Sequence, residues 1–159
     1  EGNLTVTGTS EATLFLGKAA MQQGRHQDAQ AYFIQLVQST HDSHAAEAQY
    51  LLAQLYYESK EYQQSLETLF ELNKRFPAYK AWKDKSFLLV AENYLALKED
   101  LQAKATLQSS SENAAEEAIV ASAKQKLEAL TLRVGPPVQL PDTAEESLEA
   151  DDELNTSEN

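Results

Sequence analysis

The sequence of 159 residues contains no cysteine, one tryptophan, one methionine, four prolines and five glycines. Without cysteine the chain can form no disulfide, no zinc–thiolate site and no thiol nucleophile. It also lacks an apolar run near twenty residues, so we expect no membrane-spanning helix, and it lacks a basic, apolar leader ending in small residues, so we expect no retained signal peptide. Because the sequence begins with Glu1 and not Met, we expect a processed product or an excised fragment.

Basic residues are scarce as well, and the formal net charge is −12. Residues 134–159 hold eight acidic residues and no Lys or Arg, together with three of the four prolines. Such a segment cannot bury enough apolar surface to offset its ordering entropy, so we predict a disordered acidic tail. Residues 1–133 are only mildly acidic, and a chain without a basic surplus is a poor partner for nucleic acid.

Between a short leader (residues 1–10) and this tail, residues 11–133 have helical periodicity. The stretch "HAAEAQYLLAQLYYES", for example, places Ala45, Ala48, Leu52 and Leu55 at helical spacing. Strand signals are weak, which indicates an all-α class. We expect the first helix to begin at about residue 11, with Thr9 or Ser10 as its cap.

Small and aromatic residues recur in the helical part at one fixed interval of three and then nine residues. A shift of 36 and then one of 38 superpose three such sets: Gly17, Ala20, Ala29; Ala53, Tyr56, Ser65; and Ala91, Tyr94, Ala103. Two antiparallel helices pack closely only where a side chain is small. We therefore predict three stacked helix pairs, with Gly17, Ala53 and Ala91 on the first helix of each pair. Phe33, Leu69 and Leu107 would fill the space between pairs.

The pattern of Ala53, Tyr56, Ser65, Leu69 and Pro77 resembles the tetratricopeptide repeat (TPR) family. The resemblance implies a right-handed α-solenoid of three helix pairs, at about residues 11–43, 44–79 and 80–113. A C-terminal capping helix would follow at 114–132, with Asn113 as its cap and Glu116 three residues on. Only Gly24 keeps the family's turn glycine; Lys60 and Lys98 replace it. No cap precedes residue 11, so we expect upstream repeats, a partner or a self-contact over the open end.

No nucleophile–base set, phosphate loop or cofactor motif is visible, which indicates a protein that is not an enzyme and binds no cofactor. "HDSHAAE" places His41, His44 and Glu47 at spacings of three, so that on a helix they could share one face and bind a divalent metal. The alternative, which we favour, is a polar turn in which Asp42 or Ser43 caps a helix, with no metal. His26 is expected to pack half-buried at a turn.

In TPR proteins, partners lie in the groove formed by the first helix of each pair. Carried onto this sequence, the resemblance implies a partner-binding groove of ten residues: Lys18, Met21, Gln22, Tyr50, Gln54, Tyr57, Glu58, Leu88, Glu92 and Leu95. The two tyrosines suit peptide recognition, although they could equally pack against the neighbouring repeat. The basic clamp with which some members hold a C-terminal carboxylate is missing here.

A second candidate surface is basic. Residues 74–85 hold five of the thirteen basic residues, interleaved with Tyr79 and Trp82: Lys74, Arg75, Lys80, Lys83 and Lys85. They form either a docking patch for an acidic partner, such as the chain's own tail, or a solvated loop with Trp82 packed in the core.

The sequence therefore predicts a non-catalytic scaffold that binds a protein or peptide. The phrases "AENYLALKED" and "AKATLQS" are similar to the C-terminal end of large TPR proteins of the Gram-negative bacterial envelope. That similarity implies a periplasmic or outer-membrane-associated location; a cytoplasmic one is the alternative. The alternative function is a structural one, in which the repeats end a longer solenoid and act by self-assembly through the uncapped first repeat.

Overall fold

A computed structural model describes residues 6–135 of the chain; the predicted acidic tail lies outside the described residues, except for Val134 and Gly135. The described residues form seven α-helices and no strand, as the helical periodicity and the weak strand signals predict. The helices are α1 (Val6–Gln22), α2 (His26–Ser39), α3 (Ser43–Glu58), α4 (Tyr62–Arg75), α5 (Lys80–Ala96), α6 (Asp100–Asn113) and α7 (Glu117–Val134).

Each helix packs against the next one in the chain, so that α1–α2, α3–α4 and α5–α6 form three pairs and α7 packs on α6. The first helices also contact one another, in the order α1–α3, α3–α5 and α5–α7, whereas the backbones of α2, α4 and α6 do not come close to each other. Because the helices on one side of the stack are packed together and those on the other side are spread apart, the array curves. Helices α1, α3, α5 and α7 line its concave side.

The fixed spacing of small residues is the packing register of the three pairs. Gly17, Ala53 and Ala91 are buried, as are their partners Ala29 and Ser65. The large residues that follow are fully buried, namely Phe33, Leu69 and Leu107. A Cβ atom added to Gly17 would lie 2.5 Å from Cε1 and 2.8 Å from Cδ1 of Phe33. Glycine is therefore needed in the first pair, because a phenylalanine ring occupies the space that a leucine leaves free in the other two.

The three turns inside the pairs share one backbone conformation although only the first contains glycine. Gly24, Lys60 and Lys98 have φ values of +71°, +64° and +62°. In each turn the next residue donates a backbone N–H to a carbonyl five residues back, such as Glu61 to Tyr56 at 2.8 Å. This is the Schellman motif that ends helices. The two lysines thus keep the turn geometry of Gly24, in a backbone region that favours glycine.

The ends of the array differ from two sequence predictions. Helix α1 begins at Val6, so Thr9 and Ser10 lie within the helix and do not cap it. Ser10 is buried and hydrogen-bonds the carboxylate of Asp42 at the start of α3, which anchors this first part of α1.

The capping helix is present, and Ile119, Ala123 and Leu130 bury its apolar stripe. Its predicted capping box is wrong. Asn113 ends α6 and its side-chain amide donates to Ser109 O at 2.9 Å, while α7 begins at Glu117.

Candidate functional site

The predicted groove residues come from equivalent positions of α1, α3 and α5. The repeat shifts relate Met21 to Tyr57 and Leu95, and they relate Lys18 to Gln54 and Glu92. Ion pairs between first helices place this surface on the concave side. Lys18 Nζ lies 2.7 Å from Glu47 Oε1, which joins α1 to α3, and Glu92 Oε1 lies 2.6 Å from Lys126 Nζ, which joins α5 to α7. We call this surface the inner groove.

Two tyrosines of α3 form the aromatic part of the inner groove. The Tyr50 ring lies 5.5 Å from the Trp82 ring at the start of α5, and the Tyr57 ring lies 5.5 Å from the Tyr62 ring of α4, measured between ring centroids. Both tyrosines are half-buried and pack beside the core around Leu69. Tyr57 therefore presents part of its ring to the groove while the rest is held by the fold.

Burial raises the pKa of the Tyr50 phenol above its usual value, and the carboxylate of Glu92 raises it further. The pKa of Tyr57 is raised by burial first, then by Glu92 and Tyr62, and Lys126 offsets part of that rise. Glu92 thus acts on both phenols from α5. Both phenols stay neutral at physiological pH, so each remains able to donate a hydrogen bond.

The charged side chains of the inner groove are largely compensated within it. Besides the two ion pairs, Gln54 Nε2 donates to Glu58 Oε1 at 3.2 Å. Among the predicted residues, Lys18, Gln22 and Glu58 are exposed, whereas Met21 is half-buried. Apolar contact area is provided by Met21, Leu88 and Leu95, all of which pack at the edge of the core. The surface can therefore bind by apolar contact and directed hydrogen bonds more than by net charge.

Sequence reasoning missed Lys126 of α7 as a residue of the inner groove. Its partner Glu92 is 34 residues away, and no local pattern announces such a contact. Its role shows that the capping helix does more than cover α6, because it completes the fourth wall of the inner groove.

The predicted basic patch is divided among separate neighbours. Lys74 Nζ lies 3.6 Å from Glu71 Oε1 in a pair exposed to solvent. Arg75 turns the other way: its Nη2 donates to Val37 O at 2.9 Å, and its guanidinium lies 5.5 Å from the Phe76 ring. Arg75 therefore ties the end of α4 to the end of α2.

The remaining members of the patch lie on the first turns of α5. Lys80 Nζ lies 2.9 Å from Asp84 Oδ2, and Lys85 Nζ lies 4.7 Å from the centre of the Trp82 ring. Trp82 is half-buried beside the core of the first pair, so it is a packing residue. Lys80 and Lys83 border a cavity of about 330 Å³ between α5 and the end of α6. A docking role for the five basic residues remains a prediction.

Asp84 is a buried carboxylate that sequence reasoning did not single out. It is only 6% exposed and accepts from the backbone N–H of Ala115 at 2.9 Å as well as from Lys80. Burial alone raises its pKa, but these hydrogen bonds and the nearby lysine charges outweigh burial and lower it. Asp84 therefore holds the α6–α7 connection against α5.

The His41–His44 turn is a helix start. Asp42 caps α3 by accepting from the backbone N–H of Ala45 at 2.9 Å, as we favoured from the sequence. Burial raises the Asp42 pKa, but this bond, Ser10 and His44 lower it on balance. Residues 6–135 contain no group of three or more His, Asp or Glu side chains that could hold a metal ion. His26 is exposed at the start of α2, so the prediction that it packs half-buried is wrong.

Comparisons with known proteins agree with this architecture. Residues 15–80 match the family model described as tetratricopeptide repeat, which covers the first two pairs up to the start of α5. The chain is also similar to PcrH in a crystal structure with the chaperone-binding region of PopD. That similarity has a TM-score of 0.66 and 25% sequence identity, and it covers 80% of this chain and 94% of the other. No curated protein sequence matches the chain.

The fold is thus a TPR-like all-α repeat array, of the kind that includes a protein seen bound to a segment of another protein. No helix within residues 6–135 has the length and apolarity needed to cross a bilayer.

Proposed function

We propose that this chain is a non-catalytic scaffold that holds a segment of a protein partner in the inner groove. The observation that carries the proposal is the group formed by Tyr50, Tyr57, Glu92 and Lys126, where two half-buried phenols meet an ion pair on the concave side. Tyrosines fixed by their own packing lose little entropy on binding and present an apolar face with a polar tip.

The complex of PcrH with a segment of PopD supports the proposal by analogy of fold. A similar array of helix pairs accommodates a binding region of another protein in that structure. For the present chain we propose a partner segment with apolar or aromatic side chains and few charges, because Lys18 and Glu92 of the inner groove are each held in an ion pair. An acidic C-terminal tail is a poor fit, because Glu58 is exposed on this surface and its hydrogen bond from Gln54 does not balance its charge.

The cellular setting is a separate proposal. The similarity of "AENYLALKED" and "AKATLQS" to envelope TPR proteins leads us to propose a place in a bacterial envelope complex, in the periplasm or at the outer membrane. Fractionation of cells with an antibody against the chain tests it. Recovery of the chain in the cytoplasmic fraction alone would contradict this location and leave the groove proposal standing.

The groove proposal is tested by selecting binders from a random peptide library displayed on phage and measuring their affinity by calorimetry. Tyr57→Ala should weaken the selected peptides about tenfold or more, which is the loss of one anchor worth 1.4 kcal/mol. Phe70→Ala is the matched control, because Phe70 is an aromatic residue that is 49% exposed on α4 at the convex side. Circular dichroism checks that both variants stay folded. Equal affinity for the Tyr57→Ala variant and the wild type would reject the inner groove as the binding site.

The second candidate is a structural function through self-assembly. It is favoured by one observation: Phe15 and Leu16 of α1 are 70% and 47% exposed. Apolar residues of this size in adjacent positions mark an interaction surface more often than isolated ones do. Light scattering separates the candidates, because self-assembly requires a mass that rises with concentration.

A further inference from the structure

Four residues of α1, three of them exposed and one half-buried, occupy positions that the other repeats bury. We call the four α1 residues the outer face; they are Ala12, Phe15, Leu16 and Ala19. The repeat shifts of 36 and 38 carry them onto Ala48, Leu51, Leu52 and Leu55 in α3, and onto Ser86, Leu89, Val90 and Asn93 in α5. Of these eight counterparts, seven are buried and Leu51 is half-buried.

The counterparts are buried against the second helix of the preceding pair. Asn93 Nδ2 donates to Ser65 Oγ of α4 at 2.9 Å, and Ser86 Oγ lies 3.2 Å from Asn73 Nδ2 of the same helix. Leu52 shares a core cluster with Phe33 of α2. The outer face of α1 is therefore a helix-packing surface by its register, and within the described residues no helix precedes α1 to cover it.

From this register we infer that the outer face binds the outer face of a second copy of this chain, α1 against α1 in antiparallel orientation. The inference deepens the second candidate function and does not depend on the inner groove, which uses other residues of α1.

The pattern of the outer face is self-complementary. Its residues read small, large, large, small, and they are symmetric about a point between Phe15 and Leu16. A twofold axis at that point places Phe15 opposite Leu16 of the partner and Ala12 opposite Ala19 of the partner. Each large side chain then meets a large one, and the small residues at both ends allow close approach, as an isologous interface requires.

Charge also favours this arrangement over a head-to-tail one. Among residues 6–22 the only charged side chains are Glu11 and Lys18, and Lys18 is paired with Glu47. The twofold axis separates the two Glu11 residues by about 14 Å along the helices, beyond the screening length of about 8 Å. Helix α7, from which the −8 segment 134–159 continues, lies at the other end of the stack. In an α1–α1 dimer the ends of the two α7 helices are far from the interface, whereas in an α1–α7 contact the helix that the acidic segment follows would itself form the interface.

Sedimentation equilibrium of the full chain tests the surface. We expect the wild type to change from one chain mass towards two between about 1 and 300 μM, and Phe15→Glu to weaken self-association at least tenfold. Phe70→Glu is the control, since it places the same charge at an exposed aromatic position outside the outer face. A wild type that stays monomeric throughout would overturn the inference, as would an equal effect of the two substitutions. Peptide binding to the inner groove should be unchanged in Phe15→Glu, so the two proposals fail separately.

Disulfide trapping tests the orientation in a chain that has no cysteine of its own. Ala12→Cys mixed with Ala19→Cys should form covalent dimers under mild oxidation, because the twofold axis places these positions opposite each other. Either variant alone should form few, since two copies of residue 12 would lie about 10 Å apart along the helices, too far for a disulfide. Efficient linkage of Ala12→Cys alone, with no linkage between residue 12 of one chain and residue 19 of another in the mixture, would overturn the antiparallel arrangement.

Discussion

Gly17 has no side chain where the large ring of Phe33 packs against it, and this pair gives the sharpest test of how the helix pairs pack. In the first pair glycine faces phenylalanine, whereas in the second and third pairs alanine faces leucine, and the large residues are all fully buried. The register predicts that Gly17→Ala is tolerated only if Phe33 is made smaller. The relevant variants are Gly17→Ala, Phe33→Leu and their combination.

The expected magnitudes follow from two opposing effects. Alanine gains about 1 kcal/mol over glycine in a helix interior. Its Cβ would lie 2.5 Å and 2.8 Å from two ring atoms of Phe33, well inside van der Waals contact, and the ring is 0% exposed. Overpacking of a core costs about 1–3 kcal/mol, and contacts this short belong to the upper part of that range. We therefore expect Gly17→Ala to destabilise the chain by about 1–2 kcal/mol, by the difference of these two effects.

Phe33→Leu leaves a cavity and should cost about 1–2 kcal/mol, a fraction of the loss from a full truncation to alanine. In the double variant the clash is gone, the helix gain remains, and the new methyl group fills part of the cavity. The double variant should thus be within about 1 kcal/mol of the wild type, with a coupling energy near 2 kcal/mol.

Urea unfolding monitored by circular dichroism, with Trp82 fluorescence as a second probe, gives the four free energies of the cycle. The converse cycle in the second pair, Ala53→Gly with Leu69→Phe, serves as an independent check. Effects that add within about 0.5 kcal/mol, or a Gly17→Ala variant more stable than the wild type, would refute the volume argument.

Three further perturbations have defined outcomes. Lys60→Gly and Lys98→Gly should each raise the free energy of unfolding by about 0.5–1 kcal/mol, because relief of the left-handed conformation outweighs the entropy of glycine; additive shifts in thermal midpoint check this. Gly24→Ala should cost a similar amount, since its φ is +71° and an added Cβ meets nothing, so a neutral result would show that the turn relaxes. Asp84→Asn should lower stability at pH 7 by about 1–3 kcal/mol through weaker bonds to Ala115 and Lys80. Because the pKa of Asp84 is lowered in the folded chain, its stabilising effect is present above about pH 4 and is lost as the pH falls through the folded pKa. Urea unfolding from pH 2 to pH 7 should therefore show a flatter acid dependence for this variant, and parallel curves would contradict the assignment.

The part of the fold that the sequence predicts well is the part set by repetition. Each of Gly17, Ala53 and Ala91 is buried at the same depth because the same close helix approach occurs three times. A single position could be small for many reasons, but three positions that move together have one geometric cause. The turns inside the pairs show the same effect. Each repeat needs a positive φ at this position, and lysine adopts it in the second and third turns where the first has glycine.

What could not be predicted depends on contacts distant in sequence. The capping-box pattern at Asn113 is a local signal and predicted the wrong helix start. In the structure, the backbone N–H of Ala115 donates to Asp84, which lies 31 residues away in the chain, and α7 begins after it. Helix α1 extends to Val6 although residues 1–10 carry the composition of a leader, and Ser10 meets Asp42 of another helix. The basic residues near Trp82 are close in sequence, but in the fold they are divided: Arg75 turns to α2, Lys80 lies beside Asp84, and Lys85 lies over the Trp82 ring.

The same repetition distinguishes two sets of residues on the first helices: one set that the fold requires, and one that lines the inner groove and can vary. On each first helix the small residue faces the second helix of its own pair, while the residue four positions further on faces the groove: Met21, Tyr57 and Leu95. Substitution at the first set alters the distance between helices, since the side chains there touch fully buried rings and leucines. The second set lies one helical turn further along the same side of each helix, so its half-buried side chains pack at the edge of the core and also line the groove. A chain built in this way can change its binding specificity without losing its architecture, as long as the substituted side chain keeps its apolar contact with the core. It follows that Tyr57→Leu, which makes the second repeat like the third, should keep the stability of the array and change what the groove selects.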